Sequence, residues 1–319
     1  MKLFKHVLLM IGAVGAMTTT AQAQYFGRNK IQYENFDFKI MKSEEFEVYY
    51  YPSESLAVYD ATRMLERWYT RVSEVFAESL QIDQPVILYA NHADFQQTNV
   101  ISGLIPQGTG GVTEGQRQRI VIPLTGVYAE NDHVLGHELV HSWHYQIMKS
   151  SPQGIQAAGQ IPLWFIEGMS EYLSIGSVAP LTAMWMRDGI LYDDLPPIKT
   201  ISTNQKYFPY RYGHALWAYI AGRWGDNVID PLYKSVLAKG WRQGFVDVLG
   251  ISLDSLSDDW QTAMREQFTP DTNMQKPQQV GKQIIGEDGQ TNLSPVISPD
   301  GKYVAFLSNR DLFTLDLYL

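Results

Sequence analysis

The sequence predicts an α+β domain followed by a short β-rich segment. Three observations carry this prediction. Four compact runs of Val, Ile, Phe and Tyr, bounded by turn residues, fall between residues 24 and 124, around one helical stretch. Apolar residues at spacings of three and four dominate 131–268. The periodicity then fades across 269–293, and strand-like runs return after it. Strands first and helices second is the order of an α+β fold rather than of alternating βαβ units.

The elements follow in chain order. "MKLFKHVLLMIGAVGAMTTTAQA" pairs Lys2 and Lys5 with an apolar run from Val7 to Met17 and small residues at Ala21–Ala23. That pattern predicts a signal peptide over 1–23 and an exported protein, in the periplasm, at the outer-membrane surface or outside the cell. The apolar run is too short to span a bilayer, so no integral membrane segment is expected after cleavage. "FDFKI" and "FEVYYYP" read as strands. Ser53 to Leu80 reads as a helix with Leu65, Trp68, Val72, Val75 and Phe76 on one face and Ser53 or Ser55 as its cap. "QPVILYAN" and "QRIVIPL" read as strands, with the Gly-rich "PQGTGGVTEGQ" between them as a loop or hairpin. Helices are expected at 131–149, 163–175, 211–224, 227–238 and 255–268. A domain over 24–270, a linker over 271–293 and a strand segment over 294–319 complete the expected organisation. In that last segment Phe313, Leu315, Leu317 and Leu319 alternate with polar neighbours, as in a half-buried strand.

Composition narrows the class. With 45% hydrophobic and 18% charged residues the chain is globular, and a net charge of −9 without a basic run disfavours a nucleic-acid partner. There is no cysteine, so stability rests on a core and not on disulfides. The 19 Tyr and 8 Trp are explained most simply by amphipathic packing.

Four of the seven histidines lie in "HVLGHELVH SWHYQ", from His133 to Gln146. His137 and His141 stand at i and i+4, one above the other on a helix, so both rings can reach one zinc ion. Glu138 is turned about 100° from His137, where its carboxylate can take a proton from a water without binding the metal. His144 continues the same row, and three ligands in one row cannot wrap a tetrahedral ion; His133 has the same defect. The third ligand is expected in "PLWFIEGMSEYLS", where Glu167 and Glu171 share one face of an otherwise apolar helix. Two such carboxylates are costly to bury without partners. A metal ion partners Glu167, and the free N–H of a ligand histidine partners Glu171. The competing reading is a pair of ordinary helices with solvated histidines and glutamates.

"HELVH" with "WFIEGMSEY" resembles the gluzincin metallopeptidases, matching them at His137, Glu138, His141, Glu167 and Glu171. The resemblance implies a thermolysin-like zincin domain with one Zn2+ ion, a peptide or protein substrate, and an edge strand that binds extended peptide. Gly111 and Val112 in "GGVT" fall where that strand is expected. It also implies a group that stabilises the oxyanion, on a late helix similar to "YFPYRYGHALWAYIAGRWG". Tyr212 is the first candidate, with Tyr210 and His214 as alternatives. The gap from His141 to Glu167 is longer than in the best-known members. The "GxMEN" motif of aminopeptidases in the same clan is absent, which disfavours an aminopeptidase. "SPVISPDGKYVAFLSNRD" resembles a blade of the TolB-type β-propeller, which implies the start of a longer propeller and a protein partner for it. Function is therefore expected to be exported zinc-dependent peptide hydrolysis. An inactive peptidase-like scaffold and a zinc aminopeptidase are the alternatives.

Overall fold

The structure is a computed structural model that describes residues 30–152, 154–272, 284, 291–310 and 315–319. The expected signal peptide lies outside the described residues, as does most of the expected linker. The chain divides into two compact units at Thr272 and Asn273. The first is α+β.

Its sheet is built from β1 (Lys39–Lys42), β2 (Phe46–Tyr50), β3 (Gln84–Tyr89), β4 (Val112–Glu114) and β5 (Arg119–Pro123). Their spatial order is β1-β2-β3-β5-β4. β2, β3 and β5 run parallel, while β1 and β4 are antiparallel to their neighbours. Between β2 and β3 the chain crosses over through α1 (Ala57–Phe76), and a short α2 (His92–Phe95) follows β3. The middle strands bury both faces, which is why they read as continuous apolar runs. Val86, Leu88, Ile120 and Ile122 join the main core with Phe46 and Val48. Val121 and Tyr89 face the other way, into a cluster with Phe36, Phe38, Tyr51 and Phe95.

The helical half consists of α3 (Tyr128–Ser150), α4 (Gly154–Ala158), α5 (Leu163–Ile175), α6 (Pro180–Leu191), α7 (Ile198–Ile201), α8 (Pro209–Trp224), α9 (Ile229–Lys239), α10 (Trp241–Leu249) and α11 (Leu253–Thr272). Apolar periodicity does not predict α4, α6, α7 or α10. The expected serine cap of α1 is absent: the helix starts at Ala57 with Leu56 as its N-cap and no side-chain cap bond. Pro52 instead opens a 3-10 turn over Pro52–Glu54, which takes up both serines ahead of the helix.

Half of the eight tryptophans are fully buried core residues. Trp143, Trp164, Trp217 and Trp260 are fully buried. Three of them find acceptors for the indole N–H: Trp143 at Glu78 O, Trp164 at Ser202 Oγ and Trp217 at Phe165 O. Glycines set the closest helix approaches. A Cβ on Gly136 would lie 2.6 Å from the Trp68 ring, so α3 seats against α1 there. A Cβ on Gly168 would lie 2.3 Å from the Gly213 backbone, and one on Gly213 would lie 2.3 Å from Trp164 O. α5 and α8 therefore cross backbone to backbone.

The second unit is one antiparallel three-stranded sheet among the described residues: β6 (Asn292–Ile297), β7 (Val304–Ser308) and β8 (Asp316–Tyr318). The "SPDG" turn closes with Gly301 N donating to Ser298 O and Gly301 at φ 71°. The expected burial of the leucine row is reversed. Leu315, Leu317 and Leu319 are 50%, 73% and 82% exposed, whereas Tyr318 stacks on Phe306 at 5.7 Å. Phe306 and Tyr318 pack on one side of the sheet, and the row expected to be buried lies on the opposite one; β6 is exposed throughout, and Phe313 lies outside the described residues. No helix among the described residues is long and apolar enough to cross a membrane.

Two glycines of α8 predict opposite responses to one added methyl. Gly213→Ala drives a Cβ into backbone and should destabilise by about 1–3 kcal/mol or more. Gly222→Ala meets no atom within 4 Å and should stabilise the helix by about 0.5–1 kcal/mol. Thermal melts of both variants against wild type check the signs.

Candidate metal centre

α3 and α5 bring three ligand atoms to one point. His137 Nε2 lies 3.3 Å from His141 Nε2 and 3.1 Å from Glu167 Oε2, and His141 Nε2 lies 3.4 Å from Glu167 Oε2. Three ligands bound about 2.0–2.1 Å from a tetrahedral ion stand about 3.3–3.4 Å from one another. Two sides of the observed triangle match that edge length, and the His137–Glu167 side, at 3.1 Å, is slightly shorter. Two imidazole nitrogens facing each other across 3.3 Å need an electrophile near them, and a metal ion or a proton can serve. His137 and His141 are buried, at 6% and 9% exposure. The donor set and its geometry therefore fit a single tetrahedral cation with one position left open.

Charged and polar groups stand behind the ligand rings. His137 Nδ1 lies 3.1 Å from Glu171 Oε1, an ion-pair distance without the alignment of a hydrogen bond. Glu171 is 3% exposed, and its other oxygen accepts from Arg211 Nη1 at 2.8 Å. His133 Nε2 lies 3.3 Å from the same carboxylate, and its Nδ1 lies 3.0 Å from Ser174 Oγ. His133, His137 and Glu171 form a second group spaced for a metal. There the Arg211 guanidinium already supplies the positive charge, and an ion would take His137 through Nδ1 instead of Nε2. His141 Nδ1 lies 3.3 Å from His144 Nδ1, and His144 Nε2 lies 3.0 Å from Met169 Sδ. Burial pushes His144 well below the usual histidine range, so it is neutral. It can accept from His141 and direct its own N–H at the sulfur.

The electrostatics favour a cation. Burial would push the Glu167 carboxyl up, but His137 and His141 hold it below the usual carboxylate range. Burial likewise opposes Glu171, and His133 and His137 outweigh it. Burial would lower the His137 imidazole, yet its bonds to Glu167 and Glu171 raise it to about 10. Without a metal, the charge demanded by these carboxylates is met by a proton on His137.

Glu138 points from the same helix into a cleft of about 930 Å³. Thr113 Oγ1 lies 2.7 Å from Glu138 Oε2 and 2.8 Å from its backbone carbonyl. Gly111 leaves room for this carboxylate, because a Cβ there would lie 2.9 Å from Glu138 Cγ and 3.1 Å from Oε1. Gly111, Val112 and Thr113 all line the cleft. β4 pairs with β5 alone among the described strands, so its outer edge is unpaired.

Most of the expected site residues meet here: His137, Glu138, His141, Glu167, Glu171, Gly111 and Val112 all border the cleft. Tyr212 does not. It is buried against Trp185 and Tyr207, away from the cleft. Two residues along a helix turn a side chain by about 200°, so Tyr210 and Tyr212 occupy opposite faces of α8. Tyr210 stacks on His137 with ring centroids 5.8 Å apart. Burial, the Glu167 charge and a hydrogen bond to Glu167 raise its hydroxyl. His214 is also buried, and its Nε2–H donates to Gly176 O at 2.8 Å. Sequence reasoning places Thr113 in the expected edge strand but misses its bond to Glu138, and it misses Arg211. The signal for Arg211 was its helical spacing of two from Gly213, readable only once the crossing at Gly168 is known. Neither a protein-family model nor a curated protein matches the chain, so the site is defined by its geometry alone.

The geometry predicts a proton count. A divalent cation must displace the His137 proton, so near neutral pH about one proton should leave per ion bound, and affinity should climb as pH rises toward that of His137. Calorimetric titrations in buffers of different ionisation enthalpy read the number. His137→Ala and Glu167→Ala should abolish stoichiometric binding, whereas His133→Ala should retain it.

Proposed function

We propose that the chain is an exported zinc-dependent peptidase, with a thermolysin-like zincin domain followed by strands like those of a β-propeller blade. The observation that carries this reading is the matched triangle of His137, His141 and Glu167 with the Glu138 carboxylate beside it in an open cleft. Two imidazoles and one carboxylate are the donor set of catalytic zinc, and bound zinc would supply Lewis acidity that acidifies a water and polarises a carbonyl.

The chain's own residues do the rest. The unpaired edge of β4 offers backbone N–H and C=O groups to an extended peptide, with Gly111 and Val112 at the cleft wall. Glu138 accepts the proton of the attacking water and passes it to the departing amide nitrogen. The Thr113 hydroxyl aims that carboxylate into the cleft. Tyr210, rather than Tyr212, is positioned to donate its hydroxyl to the oxyanion that develops on the scissile carbonyl. Glu171 and Arg211 keep His137 oriented. The export and propeller readings rest on the sequence patterns at 1–23 and 294–319.

Glu138→Gln keeps the size and the Thr113 contact but removes the base. It should retain one zinc per chain and lose about 10²–10⁴-fold in peptide hydrolysis. Undiminished hydrolysis by the zinc-loaded variant would refute the mechanism. Tyr210→Phe should lower kcat with little change in KM, while Tyr212→Phe should leave both near wild type.

A further inference from the structure

The two ligand histidines are backed differently. Behind His137 stands the Glu171 carboxylate, 3.1 Å from Nδ1. Behind His141 stands another imidazole: His144 Nδ1 is hydrogen-bonded to His141 Nδ1 at 3.3 Å. His144 lies three residues further along α3 and is 2% exposed. Phe76 meets its ring edge-on with centroids 5.9 Å apart, and the Tyr233 ring leans on it at 4.8 Å. The Tyr233 hydroxyl also donates to the His144 carbonyl at 2.9 Å, which ties down this turn of the helix. The remaining nitrogen of His144, Nε2, lies 3.0 Å from Met169 Sδ on α5.

The protons along this row follow from the sulfur. A thioether has no hydrogen to give and only accepts. His144 therefore carries its proton on Nε2, pointed at Met169. A second proton on Nδ1 would make it a buried cation with no carboxylate hydrogen-bonded to it, which is costly. Nδ1 is thus a bare acceptor, and His141 Nδ1 supplies the hydrogen that it accepts. One proton per ring then leaves His141 Nε2 with a free lone pair. That is the atom 3.3 Å from His137 Nε2 and 3.4 Å from Glu167 Oε2.

We propose that His144, held by Met169, is the positioning residue that fixes His141 in its Nδ1–H tautomer, so that the lone pair facing the centre is in place before an ion arrives. A neutral imidazole here takes the part that a carboxylate or a carbonyl usually plays behind a ligand histidine. The inference rests on the metal-centre reading. It gives a role to a histidine whose own two nitrogens are both engaged away from the ion.

Long-range proton–nitrogen correlation spectra of the metal-free full chain read the tautomers directly. His141 should appear as Nδ1–H and His144 as Nε2–H. His144→Leu removes the acceptor, so the His141 signal should move toward Nε2–H, and zinc affinity measured against a competing chelator should fall about 10–100-fold. His144→Asn sets a carbonyl oxygen near the place of Nδ1 and should restore both the tautomer and most of the affinity. His141 found as Nε2–H in wild type would overturn the proposal, as would a His144→Leu variant that binds zinc as tightly as wild type. Wild type that binds no zinc would defeat the metal-centre reading, and the proposal with it. The wild-type spectrum decides the matter even where His144→Leu fails to fold.

Discussion

The backbone contact between α5 and α8 at Gly168 and Gly213 is the constraint on which the rest of the centre depends. Glu167 precedes Gly168 by one residue, and Arg211 precedes Gly213 by two. Side chains of ordinary size at the crossing would hold the helices further apart. Arg211 could not then reach Glu171, and Tyr210 could not stack on His137. A chain of contacts follows from this one approach. Arg211 anchors Glu171, Glu171 orients His137, and His137 meets His141 and Glu167 at the spacing of a tetrahedral ion. The glycine of the "EG" pair is thus as much a part of the centre as the glutamate before it.

The buried charges make sense as a unit. Glu171 is a buried carboxylate and Glu167 a half-buried one at the cleft, and burying such a group without a partner costs on the order of several kcal/mol. Each is matched: Glu171 by Arg211 and His133, Glu167 by the two ligand histidines. Only the Glu167 side lacks a permanent cation. That asymmetry separates the two candidate ligand groups and favours the His137, His141 and Glu167 point over the His133 and Glu171 one.

Local spacing makes the candidate ligands legible in the sequence. His137, Glu138 and His141 lie within one turn and a half of a helix, and Glu167 and Glu171 within another, so their relative directions follow from helical periodicity. The residues that were misplaced depend on tertiary position instead. Tyr210 and Tyr212 look equivalent until the crossing at Gly213 decides which face of α8 meets the cleft. Thr113 sits in a three-residue edge strand inside a glycine-rich stretch, where nothing in the local pattern announces its register. α6 begins with Pro180 at its first turn, a start signal that its weak apolar periodicity concealed. The leucine row of β8 alternates as expected, but alternation does not say which face finds a partner, and here Tyr318 does.

Anomalous diffraction at the zinc absorption edge, on crystals of the zinc-loaded protein, tests the central claim most directly. One strong peak is predicted about 2.0–2.1 Å from His137 Nε2, His141 Nε2 and a Glu167 carboxylate oxygen. An ion seated instead between His133, His137 Nδ1 and Glu171, or no ordered ion at either group, would contradict the account.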